Sequence, residues 1–367
     1  MLCLALAASA VLGAPASRPS ASPATRLSSR SDASVLASRP AFGLFEDLQY
    51  LSAPALAGRL AAYRATGVTW ARFQVIWGTV QRDGPASYDW APYDRLVSAL
   101  VAHGLRPLAV ITTAPGWARA AGCAQLTCAP RDPRTYAAFA AAAARRYAGR
   151  IAALELWNEP NSSVFYKPAP DPTHYAAMLK ASYSRIKAVA PSMTVVTGGL
   201  APAATARGRG WSTVAPLDFV STMYRAGAAG AFDALGWHPY CYPALPGTAD
   251  PGNAWYQMYG PRTSARSLMA SHGDGSKRIW ATEMGAHTDL MGQGGLSEPA
   301  QASTITRAVS LWSTYSWAGP MIVYQLRDRG TDRKDRENFF GLTRYDGSPK
   351  PSYVAFLRAV AAAGHRS

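Results

Sequence analysis

The stretch Leu154-Glu155-Leu156-Trp157-Asn158-Glu159-Pro160-Asn161 decides how the chain is read: a short apolar run of strand character ends in Trp, Asn and Glu, and a proline stops it. A second stretch, Arg278-Ile279-Trp280-Ala281-Thr282-Glu283-Met284-Gly285, has the same form, again with a glutamate where the strand ends. Glutamate is scarce, six of 367 residues, so two of them at strand ends beside tryptophan suggest a working pair. They stand 124 positions apart, and the fold has to bring them together.

Outward from these stretches the chain repeats one pattern, an apolar run followed by an amphipathic helical one. The strand candidates are 42–45, 69–75, 107–112, 153–158, 194–198, 234–238, 279–283 and 321–325. The helical runs are 88–103, 135–148, 173–190, 217–226, 263–271, 300–315 and 350–363, with apolar residues at spacings of three and four. Asp132-Pro133, Asp171-Pro172 and Ser297-Glu298-Pro299 are helix-start signals. Eight strands alternating with helices predict an α/β fold, a (β/α)8 TIM barrel as a single catalytic domain over 41–363. A doubly wound sheet would carry a Gly-rich fingerprint after a strand, and none is present.

Glu159 then follows the fourth strand and Glu283 the seventh. Three strand-helix units separate them, about 41 residues each, which matches the repeat. Both fall on the C-terminal rim, where carboxyl groups about 5 to 5.5 Å apart can act as nucleophile and as acid and then base in retaining glycoside hydrolysis. At that spacing, with an effective dielectric near 20, one ionised carboxylate raises the proton affinity of the other by about 3 kcal/mol. Ionised Glu283 would hold Glu159 protonated until the sugar esterifies Glu283 and removes the charge.

The motif Trp157-Asn158-Glu159-Pro160-Asn161 and the pair Thr282-Glu283 resemble the acid/base and nucleophile motifs of glycoside hydrolase clan A, at the ends of strands four and seven of its barrel. The resemblance is closest to family 39 and its exopolysaccharide-hydrolase relatives, through Asn338-Phe339-Phe340-Gly341-Leu342 and Asp346-Gly347-Ser348-Pro349-Lys350-Pro351. It implies that Arg72 contacts the nucleophile, that Asn158 holds a sugar 2-hydroxyl, and that Tyr240 of His238-Pro239-Tyr240 hydrogen-bonds the nucleophile. It also implies that catalysis needs no metal and no cofactor. Two positions depart from the clan: Thr112-Thr113 stand where several families have histidine, and Tyr324-Gln325 where many have tryptophan. Those positions shape sugar subsites, so the resemblance carries the reaction and not the sugar.

Each supporting residue has a structural reading as well. Arg72 could instead pair with Glu155, which shares strand parity with Glu159, and His238 could cap a strand or touch substrate. Trp77, Trp117, Tyr166, Tyr240, Tyr242 and Tyr324 fall near strand ends, where rings either stack on sugars or fill the core. Of these, Trp77, Trp117, Tyr240 and Tyr324 are taken as substrate-binding along with Arg72, Asn158 and His238. Strict alternation would put Asn158 and Glu159 on opposite faces unless the strand ends or bulges there.

Composition supplies the setting. With 49% hydrophobic and 16% charged residues, the chain can bury a large core. Residues 1–16 have the apolar run and small residues of a signal peptide, without its basic start, and 17–40 form a Ser/Ala/Pro/Arg linker. Four arginines against Asp32 in residues 1–40 account for +3 of the net +15, leaving +12 on the rest. That charge suits an acidic polymer, or reflects only an Arg-rich composition; no zinc-finger spacing or Lys/Arg run indicates nucleic acid. Cys123 and Cys128 are spaced for a small disulfide ring, which leaves Cys241 as a buried thiol.

The expected protein is a secreted or cell-wall-associated retaining glycoside hydrolase without stable membrane insertion. Its carbohydrate substrate is a poly- or oligosaccharide, and cleavage is endo, because the chain ends soon after the eighth helix and leaves no room for an accessory β-sandwich. The alternatives are an exo-acting arabinofuranosidase or xylosidase and a non-catalytic polysaccharide-binding barrel. No feature of the sequence bears on oligomeric state.

Overall fold

The computed structural model describes residues 41–289 and 294–365, so the expected leader and linker at 1–16 and 17–40 lie outside the described residues. Eight strands close into a barrel in sequential order, every neighbouring pair parallel. They are β1 (Phe42–Phe45), β2 (Trp70–Ile76), β3 (Arg106–Thr112), β4 (Ala153–Leu156), β5 (Thr194–Thr197), β6 (Ala234–Trp237), β7 (Arg278–Met284) and β8 (Ala318–Tyr324). The helices that follow them are α1 (Ala53–Ala65), α2 (Ala91–Ala102), α3 (Pro133–Arg146), α4 (Pro172–Val189), α5 (Pro216–Arg225), α6 (Ala265–Ser271), α7 (Glu298–Trp312) and α8 (Pro351–His365). The sequence-predicted (β/α)8 barrel is therefore the fold.

The predicted helix starts are real caps. Asp132 accepts from the Arg134 N–H at 2.8 Å, Asp171 from those of Thr173 and His174 at 2.9 Å each, and Ser297 from that of Ala300 at 3.3 Å. Each replaces a partner that the first helical turn lacks, a contribution of about 1 kcal/mol. Inside the barrel every strand contributes to a central cluster that includes Phe45, Trp70, Leu108, Ala153, Val196, Ala234, Trp280 and Ile322. Trp70 meets Trp280 edge-on at 5.1 Å.

Two irregularities aim side chains at the rim. On β7, Ala281 pairs with Met321 of β8 and Met284 with Val323, so three steps on β7 oppose two on β8. That extra residue is a bulge, and it lets the consecutive Thr282 and Glu283 both serve the barrel interior. On β4 the strand stops at Leu156, and Trp157 (φ 77°) and Glu159 (φ 44°) take left-handed backbone conformations on either side of Asn158. The chain turns there, which resolves the alternation conflict between Asn158 and Glu159. Such conformations cost on the order of 1–3 kcal/mol each for non-glycine residues, and they persist only where the surroundings enforce them.

Helix α1, whose polar and apolar residues segregate poorly, and a hairpin on the loop after β5 (Ala206–Gly208 with Trp211–Thr213) are among the elements the sequence does not predict. Among the described residues, no helix is long and apolar enough to cross a membrane.

Candidate active site

Arg72 is the hub of the rim. Its guanidinium is wholly buried, and three of its nitrogens are committed: Nε to Glu155 Oε2 at 2.7 Å, Nη1 to Glu283 Oε1 at 2.6 Å, and Nη2 to Asn158 Oδ1 at 2.8 Å and Glu155 Oε1 at 3.2 Å. Both readings of Arg72 thus hold together, contact with Glu283 and a pair with Glu155. Burial opposes its charge, but the carboxylates of Glu155 and Glu283 outweigh that penalty and raise its pKa. Because Arg72 holds Asn158 by its carbonyl oxygen, the Asn158 amide NH2 is left to face the cavity.

Glu283 is fixed through both oxygens, Oε1 by Arg72 and Oε2 by the Tyr240 hydroxyl at 2.9 Å. Burial pushes its carboxyl up, yet the charges of His238 and Arg72 and these hydrogen bonds prevail and hold it below the usual carboxylate value. Glu159 goes the other way. Burial raises its pKa and is the largest cause; His238 opposes it, and Glu283 adds a smaller upward push. The charge of Glu283 is thus the smaller influence keeping Glu159 protonated, and removal from water is the larger.

His238 is completely buried behind Glu159. Nδ1 lies 2.9 Å from Glu159 Oε1 and 3.7 Å from Glu283 Oε2, and Nε2 lies 3.1 Å from Thr282 Oγ1. The Thr282 hydroxyl donates to Glu155 Oε1 at 2.9 Å, so it can only accept from His238, and the proton on Nε2 is thereby assigned. Nδ1 then faces Glu159 across a contact with room for one proton. Despite the ring's burial, the surrounding carboxylates raise the His238 pKa. Gly199 makes this packing possible, because a β-carbon there would run into His238 Nε2 and Thr282 Oγ1. Its N–H also donates to Glu155 Oε1 at 2.9 Å, and its carbonyl accepts from the Glu159 N–H at 3.0 Å. A second tie comes from buried Asn161, which joins the β4 loop to the β5 loop through Ala201 and Val214.

The residues open into a cavity of about 850 Å³ lined by Arg72, Asn158, Glu159, Tyr240, Tyr242, Glu283 and Tyr324, among others. Tyr324 stacks on Phe45 at 5.4 Å, and its hydroxyl donates to Glu337 Oε2 at 2.9 Å and accepts from Arg329 Nη1 at 3.2 Å. Three expected substrate contacts are placed elsewhere. Trp77 is wholly buried against Phe139 and Tyr136, its N–H bound to Gln81. Trp117 is half-buried, edge-on to Trp77 at 5.9 Å, and outside the cavity lining. His238 is completely buried, bonded to Glu159 and Thr282, and outside the cavity lining. Ring type at a strand end could not separate these cases, because cores and clefts both use aromatics. Tyr166 is also buried, and Cys241, expected in the core, is half-exposed in the cavity wall.

Residues such as Arg329, Glu337 and Phe45 line the cavity without having been singled out; they sit in long loops or on a strand without a motif. The Cys123–Cys128 disulfide is formed. One atom each from Glu159, His238 and Glu283 lie within 4.8 Å of one another, a spacing a cation could bridge. Arg72 and Tyr240 already engage both Glu283 oxygens, so this donor set favours cationic and hydroxyl donors over a metal.

No protein-family model and no curated protein matches the chain. Solved structures do. A family 39 glycoside hydrolase from the gut symbiont Bacteroides cellulosilyticus WH2 is 24% identical over 88% of this chain and 64% of its own, with a TM-score of 0.66. The GH39 enzyme from Xanthomonas axonopodis pv. citri is 19% identical over 89% and 68%, with a TM-score of 0.63. GH5_18 from Streptomyces cattleya, in complex with GlcNAc, is 17% identical over 90% and 81%, with a TM-score of 0.65. The chain spans less than two thirds of the Bacteroides enzyme. At these identities the likeness shows a shared barrel fold.

Proposed function

We propose that the protein is a retaining glycoside hydrolase that cleaves within a polysaccharide, with Glu159 as acid/base and Glu283 as nucleophile. The observation that carries this reading is the approach of their carboxylates, one oxygen of each within 4.8 Å. That suits direct attack on the sugar and leaves little room for the intervening water that inversion needs.

In the first step a Glu283 oxygen attacks the anomeric carbon while Glu159 delivers its proton to the departing glycosidic oxygen. The products are a glycosyl ester on Glu283 and a free leaving group. In the second step ionised Glu159 takes a proton from water, the hydroxide attacks the anomeric carbon, and the ester bond to Glu283 breaks. The opposed pKa directions of the two groups supply the required starting states. Arg72 and Tyr240 hold Glu283 ionised and aimed, and the Asn158 amide is available to a hydroxyl of the bound sugar. Residues 1–16 and 17–40 complete the proposal as export signal and linker, and a disulfide suits a secreted or cell-wall-associated enzyme.

The test is a panel of aryl glycosides and polysaccharides with wild type, Glu159→Ala and Glu283→Ala. Glu283→Ala should reduce turnover to background. Glu159→Ala should lose about 10²- to 10⁴-fold on substrates with poor leaving groups and much less on activated aryl glycosides. Unchanged turnover in Glu283→Ala would end this reading, and polymer binding without turnover in wild type would favour a binding barrel.

A further inference from the structure

A second hollow, of about 490 Å³, lies beside the first, walled by the Cys123–Cys128 loop, residues 167–169 and the hairpin after β5. Its lining includes Lys167 and Arg207 and no acidic side chain. Trp211, 51% exposed, forms one wall. The indole lies over Gly208, its partner across the hairpin, where a β-carbon would collide with the ring. Its position therefore depends on the absence of a side chain opposite.

The hollow is joined to the candidate active site by shared loops. Val164 and Thr213 line the central cavity, while Lys167 and Ser212, on the same two loops, line the hollow. The loops are tied to each other, Ser163 N–H to Ser212 O at 2.9 Å and Ser212 N–H to Ser163 Oγ at 2.8 Å. The disulfide loop is tied to the β4 loop, with Lys167 N–H donating to Thr127 O at 3.0 Å and Ala129 N–H to Lys167 O at 2.9 Å.

We infer that this hollow is a subsite for an anionic sugar chain on the leaving-group side of the scissile bond. The inference rests on the proposed function and deepens it. Glu159 protonates the leaving oxygen, so the departing half of the chain passes along the loop that carries Glu159, and the far side of that loop is the hollow. An exposed indole face offers a platform for a sugar ring, and an ammonium and a guanidinium with no carboxylate in the lining attract a carboxylate or sulfate on that sugar. Single-stranded nucleic acid also uses rings and cations, but it is held by a succession of stacking platforms, and this hollow has one.

Affinity electrophoresis of the full chain tests it, in gels containing polygalacturonate, alginate or hyaluronan against neutral xylan and dextran, with oligo(dT) as competitor. Wild type should be retarded by an acidic polymer more than by any neutral one, and less so as salt is added. Lys167→Ala/Arg207→Ala and Trp211→Ala should each weaken that binding about tenfold. Gly208→Ala should weaken it with no change of charge, and Arg145→Ala/Arg185→Ala, on α3 and α4, should not. Aryl glycoside turnover should be the same in the control pair as in wild type. Equal retardation by neutral polymers, wild-type binding in the hollow variants, equal weakening in the control pair, or stronger competition by oligo(dT) than by acidic glycan would each overturn the inference. Failure of the catalytic reading would appear separately, as aryl glycoside turnover indifferent to Glu159→Ala and Glu283→Ala.

Discussion

His238 Nδ1 stands 2.9 Å from Glu159 Oε1, and the proton on the opposite side of the ring is already assigned by Thr282. The contact between Glu159 and His238 consequently has room for one proton. That proton is the one a glycosidase has to deliver.

The pH dependence follows with a definite sign. Activity falls on the acid side as Glu283 protonates, below the ordinary carboxylate value because its pKa is lowered, and on the alkaline side as the Glu159–His238 pair gives up its proton. His238 pulls both glutamates down, so His238→Asn should move both limbs of the kcat/KM profile to higher pH. Limbs that stay in place would show that His238 does not set the ionisation of the site.

Thr282 acts through His238. Thr282→Val keeps the shape but removes the acceptor for Nε2–H, which frees the ring to take the other tautomer and present an N–H to Glu159. Turnover should fall about tenfold, the equivalent of one hydrogen bond, with the alkaline limb displaced, and Thr282→Ser should restore both. A Thr282→Val enzyme with the wild-type pH profile would remove the tautomer argument.

Glu155 is a structural counter-charge. Its oxygens receive Arg72, the Gly199 N–H and the Thr282 hydroxyl in a fully buried setting. Glu155→Gln leaves the Arg72 guanidinium short of a partner, so thermal or urea unfolding should show a loss of about 3–5 kcal/mol. A variant as stable as wild type would mean that Glu283 alone compensates the buried charge.

How much of this could be read beforehand depends on what each feature is made of. The barrel was legible because the eight strands are mainly apolar runs and because Asp132, Asp171 and Ser297 mark helix starts. Glu159, Glu283, Arg72, Asn158 and Tyr240 were legible because their positions relative to strand ends are local facts, and the structure gathers all five around one cavity. The β7 bulge was not, since it exists only in the register between Met321–Val323 and Ala281–Met284, and no turn residue marks it. The role of His238 was hidden for a similar reason: whether an imidazole meets sugar or carboxylate depends on Gly199 and Thr282, each on another strand or its loop. Trp77 and Trp117 misled because an aromatic near a strand end carries no sign of the direction its ring takes.

Proton NMR of the first-formed product distinguishes a double displacement by Glu159 and Glu283 from a single one. With an aryl glycoside that the protein cleaves, the initial hemiacetal should have the anomeric configuration of the substrate, before mutarotation sets in. An initial product of opposite configuration would mean that water, and not Glu283, attacks the sugar, and would contradict the double displacement.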